Sequence, residues 1–301
     1  MKAFVTGVNG QLGHDVMLEL AKRGYEAIGS GSGPACTCTD AVADMPYVQL
    51  DIADAAAVAK GIGRLRPDAV FHCSAWTAVD AAEDAENAEK VAALNVSGPG
   101  NIAAACAETG AKMIYLSTDY VFGGQGERPW EPEDTCFDPL NEYGRTKLEG
   151  ERAVAARTDR FFIVRTAWVF GKNGNNFVKT MLRVGKTHES VRVVMDQIGT
   201  PTYTADLARL LVDMAETEKF GYYHATNEGG YISWFDFTRE IYRQAGLKTE
   251  VLPVTTAEYG LSKAARPFNS RLDKSKLIAA GFVPLPDWRD ALKRYLKEIG
   301  E

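Results

Sequence analysis

The sequence predicts an α/β fold: a doubly wound parallel sheet followed by a smaller C-terminal module. Three observations carry this. Strand-length apolar runs alternate with stretches of helical periodicity from residue 2 to about residue 165. Each return between parallel strands needs about a helix of chain, and the intervening stretches have that length. After about Trp168 the alternation loosens, while aromatics and prolines become frequent (Trp234, Phe235, Pro253, Pro267, Pro284, Pro286, Trp288).

Taken in order, Lys2 to Thr6 reads as a strand, and Leu12, Val16, Met17, Leu20 and Ala21 then recur at helical spacing. Lys22 and Arg23 suit the negative end of that helix, and Gly24 can adopt the left-handed conformation that closes it. A second strand covers Glu26 to Ser30 and runs into a Gly/Ser/Pro-rich loop, and a third covers Tyr47 to Leu50. Asp54 can cap an alanine-rich helix ending near Leu65. Ala69 to Cys73 reads as a buried strand, Asn87 to Glu108 as one helix, and Met113 to Leu116 as the next strand. Asn141 can cap the helix that follows, and Phe161 to Arg165 is a further strand. This places a first domain over residues 1–166 and a second mainly over 167–301, with a segment near 190–215 that can return to the first.

A chain of 301 residues can bury a sizeable core, and 46% hydrophobic with 25% charged residues is ordinary for a folded protein. A net charge of -6 with no dense Lys/Arg run argues against a nucleic-acid partner. No apolar run approaches the roughly 20 residues that cross a bilayer. The N-terminus offers a strand where a signal peptide needs a longer apolar stretch, so a cytoplasmic protein with no membrane association is expected. Five scattered cysteines do not form a disulfide framework, and Cys36 with Cys38 lacks a second ligand pair for zinc. No metal is expected.

The turn after the first strand reads Gly7-Val8-Asn9-Gly10-Gln11-Leu12-Gly13. A GxxGxxG turn between strand and helix lets a pyrophosphate approach the helix N-terminus, whose free N–H groups and dipole attract anions. A Rossmann-type nucleotide site is the reading. Where the second strand ends, an acidic residue would normally accept hydrogen bonds from the ribose of NAD, but this chain has Gly29-Ser30-Gly31-Ser32-Gly33. That favours NADPH and leaves NADH open. Asp51 follows the third strand, where it can serve the adenine edge or simply start a helix.

Tyr143 and Lys147 are spaced to share a helix face, and they follow Ser117-Thr118-Asp119 at a strand end. A tyrosine titrating near pH 10 is a reluctant acid or base, and a neighbouring ammonium would lower its pKa. A hydroxyl from the strand could then join the phenol at one carbonyl oxygen.

These motifs resemble the extended short-chain dehydrogenase/reductases. The segments Gly10–Gly13, Ala75–Asp80, Ser117–Phe122, Arg165–Phe170, Gly174–Phe177, Asp196–Thr202 and Arg266–Ser270 narrow the resemblance to the dTDP-4-dehydrorhamnose reductases over almost the whole chain. The resemblance implies reduction of a 4-keto deoxysugar nucleotide, with Tyr143 as proton donor, Thr118 hydrogen-bonding the same oxygen, and Lys147 holding the nicotinamide ribose. It further implies cofactor contacts at Gly7, Asn9, Gly10, Gln11, Leu12, Gly13, Ser30, Asp51, Ile52, Ser74, Ala75 and Asn95, together with Tyr143 and Lys147. Thr77, Val79, Asp119, Tyr120 and Trp168 fall where the family meets the deoxysugar, and Asn175 and Asn176 where it meets the nucleotide end, making the C-terminal module a substrate-binding domain. Some family members dimerise through magnesium held by glutamates; His14-Asp15 stands at one of those positions, so a homodimer stays open and a metal is not expected.

Two other readings stand beside this one: an epimerase or dehydratase on the same scaffold, and a non-catalytic NADP-binding regulatory subunit. Tyr120 after Thr118-Asp119 lacks the carboxylate that a dehydratase would use, and the complete Thr118, Tyr143, Lys147 set argues against lost catalysis. Trp168 and Val79 could equally be packing residues. His72, inside a strand, reads as a core histidine. Glu83-Asp84-Ala85-Glu86 reads as a solvated helix start, and Trp288, Leu292, Tyr295 and Leu296 as core.

Overall fold

The computed structural model describes all 301 residues, Met1–Glu301. Strands β1 (Lys2–Thr6), β2 (Glu26–Gly31), β3 (Tyr47–Gln49), β4 (Ala69–His72), β5 (Lys112–Thr118) and β6 (Phe161–Thr166) join the strand Gly221–His224 in one sheet. The order is Gly221–His224, β6, β5, β4, β1, β2, β3, with every pair parallel. Strand order therefore reverses between β1 and β4, and a crevice outside the carboxyl ends of the strands at such a reversal is where open α/β sheets take ligands.

Alternation along β1 divides the core. Ala3 and Val5 face a layer formed by α1 (Gln11–Lys22) and α7 (Thr204–Ala215) through Val16, Met17, Leu20, Leu207 and Leu211. Phe4 faces α2 (Ala55–Leu65) and α4 (Gly98–Thr109) through Val58, Ile62, Ile102 and Cys106. Asp54 accepts a hydrogen bond from the Ala57 amide at 2.9 Å and so caps α2. Asn141 does the same for α5 (Glu142–Ala155), accepting from the Gly144 amide at 2.8 Å.

The helix expected over Asn87–Glu108 is interrupted. The turn α3 (Ala88–Ala92) gives way to a π-helical segment, Ala93–Ser97, before α4 begins. Pro99 has no N–H to return to the Asn95 carbonyl four residues back, so regular α-helical bonding cannot continue there. The wider turn holds Asn95, fully buried, beside the cleft.

Beyond the strand Val169–Phe170, a second core forms from Phe170, Val178, Leu182, Phe237, Ile241, Trp288, Leu292 and Tyr295. It is carried by α6 (Phe177–Gly185), the helix Trp234–Ala245 and the last helix Trp288–Ile299. A parallel pair, Ser190–Val194 with Glu250–Val254, borders it. No helix is long and apolar enough to cross a membrane.

Candidate active site

The glycine turn forms a cradle that a side chain would fill. Gly7 has φ of 73°, and a Cβ there would lie 2.8 Å from the Ser74 amide nitrogen. A Cβ on Gly13 would lie 2.3 Å from the Gly7 carbonyl oxygen, so α1 can sit this close to the turn only without one. Gly10, at the N-cap of α1, supplies no side-chain cap, which leaves the first-turn N–H groups for an anion. The arrangement fits the pyrophosphate of a dinucleotide.

Long-range hydrogen bonds fix the turn from two sides. Asn9 Oδ1 accepts from the Thr37 amide at 2.9 Å, and its carbonyl accepts from Asn173 Nδ2 at 2.9 Å. Gln11 Oε1 accepts from Asn176 Nδ2 at 3.0 Å, which joins a residue assigned to the cofactor with one assigned to the nucleotide end of the substrate. Asn176 also caps α6 through Oδ1, accepting from the Lys179 amide, so its side chain is heavily engaged within the protein; Asn175 beside it is exposed. Leu12 is half-buried against the core beneath the turn.

At the end of β2, the Ser30 carbonyl accepts from the Gly7 amide at 2.8 Å, while its buried hydroxyl has no partner. Tyr47 donates to the Gly33 carbonyl at 2.8 Å and Gln49 to that of Ser32 at 2.9 Å, which pins the loop where a ribose carboxylate is missing. Asp51 is exposed, and one of its oxygens accepts from the Ala53 amide; Ile52 beside it is buried. The clasp behind this loop is not evident from local sequence. His14 is buried between two carboxylates, with Nδ1 2.9 Å from Asp15 and Nε2 3.0 Å from Asp40, and Lys172 also reaches Asp40 at 3.1 Å. Burial works to lower the His14 pKa, but the hydrogen bonds and charges of Asp15 and Asp40 outweigh it and raise the pKa above its ordinary value.

The reacting end is built from β4, β5 and α5. The Ser74 amide donates to Thr6 Oγ1 at 3.3 Å, and Ala75 follows it. Asn95 Oδ1 accepts from the Trp76 amide at 2.9 Å, and its Nδ2 donates to Thr146 Oγ1 at 3.1 Å. His72 is buried, bonded through Nδ1 to Thr6 at 2.9 Å; burial pushes its pKa down to about 3, so it stays neutral. Thr118 and Asp119 are buried, and the Thr118 hydroxyl donates to Asp119 Oδ1 at 2.9 Å while accepting from the Tyr120 amide at 3.2 Å. The Tyr120 and Tyr143 rings meet edge to face with centroids 5.7 Å apart.

Lys147 lies beneath the site on α5. Its Nζ donates to the Leu116 carbonyl at 2.7 Å and lies 4.3 Å from the centre of the Tyr115 ring. Burial lowers its pKa to about 7, with Glu151 and Cys73 opposing. The Tyr143 phenol is pushed well above its ordinary pKa by burial and then by the Asp119 charge, while Thr118 favours the phenolate. Tyr143 is thus held protonated, the form that a proton donor needs, instead of being tuned downward by the lysine.

Trp168 packs between the second core and a smaller cluster around Phe122. Trp168 has φ of 51°, a left-handed conformation uncommon for a bulky residue, and its ring stacks on Trp234 with centroids 3.7 Å apart. Thr77 is exposed and Val79 half-buried in the segment after β4. That segment is tied to the far end of the chain: Arg266 Nη2 donates to Asp80 Oδ2 at 2.7 Å, and the Ala264 amide donates to Asp80 Oδ1 at 2.9 Å. An ion pair between Lys263 and Asp84, and a 2.7 Å bond from Asn141 Nδ2 to the Ala265 carbonyl, complete the strap.

A glycine cradle at the switch point, with a tyrosine, a threonine and a lysine at the neighbouring strand ends, defines a nicotinamide-dependent oxidoreductase of the extended short-chain class. The family model described as the RmlD substrate binding domain matches residues 1–300, and the chain belongs to that family. The dTDP-4-dehydrorhamnose reductase of Streptomyces griseus is 42% identical over 96% of this chain and 90% of its own length. Among solved structures, the dTDP-4-dehydrorhamnose reductase of Clostridium acetobutylicum superposes with a TM-score of 0.90 at 39% identity, covering all of both chains. That of Bacillus anthracis, solved in complex with NADP, gives a TM-score of 0.88 at 38% identity, over 99% of this chain and all of that one.

Proposed function

We propose that this protein reduces the C4 ketone of dTDP-4-dehydro-6-deoxy-L-mannose (dTDP-4-dehydro-L-rhamnose) to give dTDP-L-rhamnose, using NADPH in preference to NADH, in the synthesis of a nucleotide sugar for polysaccharide. The observation that carries this reading is the convergence of Thr118 at the end of β5, and Asp119 just beyond it, with Tyr143 and Lys147 from α5, at the strand ends beside the glycine cradle. Gly7, Gly10, Gln11 and Gly13 receive the pyrophosphate, and Ser30, Asp51 and Ile52 lie toward the adenosine. Ser74, Ala75, Asn95 and Lys147 lie toward the nicotinamide end. A bound reduced nicotinamide supplies the hydride.

The protein's own part is to hold and protonate the ketone oxygen. Tyr143, kept neutral by its burial, gives its proton to that oxygen, and the Thr118 hydroxyl stabilises the developing charge from a second direction. Lys147 orients the ribose from its seat on the Leu116 carbonyl. Thr77, Val79, Asp119, Tyr120 and Trp168 line the deoxysugar, while Asn175 and Asn176 lie toward the nucleotide. Residues 1–166 then hold the cofactor, and most of 167–301 the substrate. The five free thiols suit a cytoplasmic enzyme.

The test is turnover of the keto sugar nucleotide with each reduced cofactor, followed by nicotinamide absorbance. Tyr143→Phe should lower kcat by about 10²–10⁴-fold, the range of a general acid. Unchanged turnover in that variant would remove the assigned acid.

A further inference from the structure

A hydroxyl has one proton to give and two lone pairs to fill. At Thr118 the count is nearly closed within the protein. One lone pair takes the Tyr120 amide at 3.2 Å, the proton goes to Asp119 Oδ1 at 2.9 Å, and the Tyr143 phenol lies within hydrogen-bond reach of the same hydroxyl, where the ketone oxygen would join it. With Asp119 ionised, its oxygens can only accept, so Thr118 has just a lone pair left for a ligand oxygen. Two lone pairs facing each other repel. An ionised Asp119 therefore turns Thr118 away from the task that reduction of a ketone sets it.

Protonation reverses the count. A protonated Asp119 donates to Thr118, the two lone pairs are then filled by Asp119 and the Tyr120 amide, and the single threonine proton is released toward the site. We infer that Asp119 is a positioning residue acting through Thr118: only with its carboxyl protonated does Thr118 donate to the ketone oxygen of the substrate. The inference rests on the reductase reading above and adds a switch to it.

The surroundings are those of a carboxyl able to take up a proton. Asp119 is buried, with the Ser270 hydroxyl near its carboxyl but no closed hydrogen bond on Oδ2. Burial pushes its pKa up to about 6, against the hydroxyls of Ser270 and Thr118 and the amides of Asp119 and Tyr120. The phenols of Tyr120 and of Tyr143 on α5 both titrate well above their ordinary range and are neutral. From the strap comes the Arg266–Asp80 pair, whose two charges act on Tyr120 in opposite senses. On α5, Lys147 titrates at about 7 but is held on the Leu116 carbonyl, with Glu151 beyond it. On β4, His72 is neutral and the Cys73 thiol is pushed up to about 12. Two groups, Asp119 and Lys147, thus titrate between pH 5 and 8, and a substitution at Asp119 separates them.

The experiment has two readouts. The first is kcat at saturating keto sugar nucleotide and NADPH from pH 5 to 9. Wild type should lose activity as pH rises through the Asp119 titration, approaching about tenfold per pH unit. In Asp119→Asn the amide can donate to Thr118 at every pH, so this limb should vanish whatever the amplitude, leaving only a limb from Lys147. Thr118→Val should lower kcat by about 10²–10³-fold, the loss expected for one oxyanion donor, and Thr118→Ser should restore most of it.

The second readout needs no turnover. Infrared spectra of the protein without substrate should show a protonated-carboxyl band that titrates with a midpoint near pH 6, is missing in Asp119→Asn, and shifts in frequency in Thr118→Val. The inference is overturned if Asp119→Asn keeps the wild-type shape of the pH profile, or if no such band exists. A wild-type protein that oxidises no NADPH with the keto sugar at any pH sinks the reductase reading, and the inference with it.

Discussion

Helix α5 carries two sets of buried polar groups built in opposite ways. Toward its C-terminus, Glu151 receives both Nε and Nη2 of Arg165 at 2.9 and 2.7 Å, and Arg165 Nη1 donates to the Pro132 carbonyl at 3.2 Å. Both side chains are about 1% exposed, and the guanidinium lies 5.0–5.2 Å from the ring centres of Phe122, Phe137 and Tyr222. One turn earlier, Lys147 has one carbonyl and one ring, and Asp119 Oδ2 and Ser117 Oγ face the interior with no partner. A buried polar atom without a partner costs stability unless water or a ligand completes it. The same helix is thus anchored at one end by a closed ionic pair and left open at the other for a ligand.

The largest expected effect follows from breaking the closed end. Arg165→Met leaves Glu151 as an uncompensated buried carboxylate, and the loss should be about 3–5 kcal/mol in a urea titration. Tyr143→Phe, at the open end, should leave that titration nearly unchanged while removing turnover. If the two variants lost stability alike, the distinction between a structural and a functional polar cluster would fail.

Lys147 sharpens the comparison through pH. Its pKa is about 7 in the folded chain, whereas an unfolded lysine titrates near 10.4. Between those values the unfolded chain holds the proton and the folded chain does not, so stability should rise with pH in this window, by at most about 1.4 kcal/mol per pH unit. Lys147→Met should abolish the rise, seen by comparing urea midpoints at pH 7 and pH 9, and at pH 7 it should change stability by no more than about 1 kcal/mol. A slope that survived in the variant would assign the titration to another group.

What could be read from the sequence is what depends on neighbours along the chain. The strand–helix order, the caps at Asp54 and Asn141, the glycine turn and the shared face of Tyr143 and Lys147 all follow from spacing of a few residues. The break in the long helix was missed, although Pro99, whose missing N–H points to Asn95, is its local cue. Spacing fixed the face of Lys147 but not which neighbour it would choose, and it chose the Leu116 carbonyl. The clasp of His14 with Asp40 and the pairing of Asp80 with Arg266 span 26 and 186 residues and depend on how distant segments meet. The left-handed Trp168 likewise has no local cue, because its conformation is held by Trp234 and by the close approach of Gly199, where a Cβ would lie 2.9 Å from the indole.

The smallest effect concerns the residue that joins the open end of α5 to the strap. Asn141 uses Oδ1 to cap the helix and Nδ2 to hold the Ala265 carbonyl, between the two residues that bind Asp80. Serine caps a helix about as well as asparagine, so Asn141→Ser should change stability by only about 0.5 kcal/mol or less, whereas Asn141→Ala should lose about 1 kcal/mol. Serine is too short, however, to reach across to Ala265. The serine variant should therefore raise KM for the sugar nucleotide several-fold with little change in kcat, because the strap beside the site loses one of its ties while the acid stays in place. Equal KM values for the serine variant and wild type, measured at saturating NADPH, would show that the strap is held by the Asp80–Arg266 pair alone.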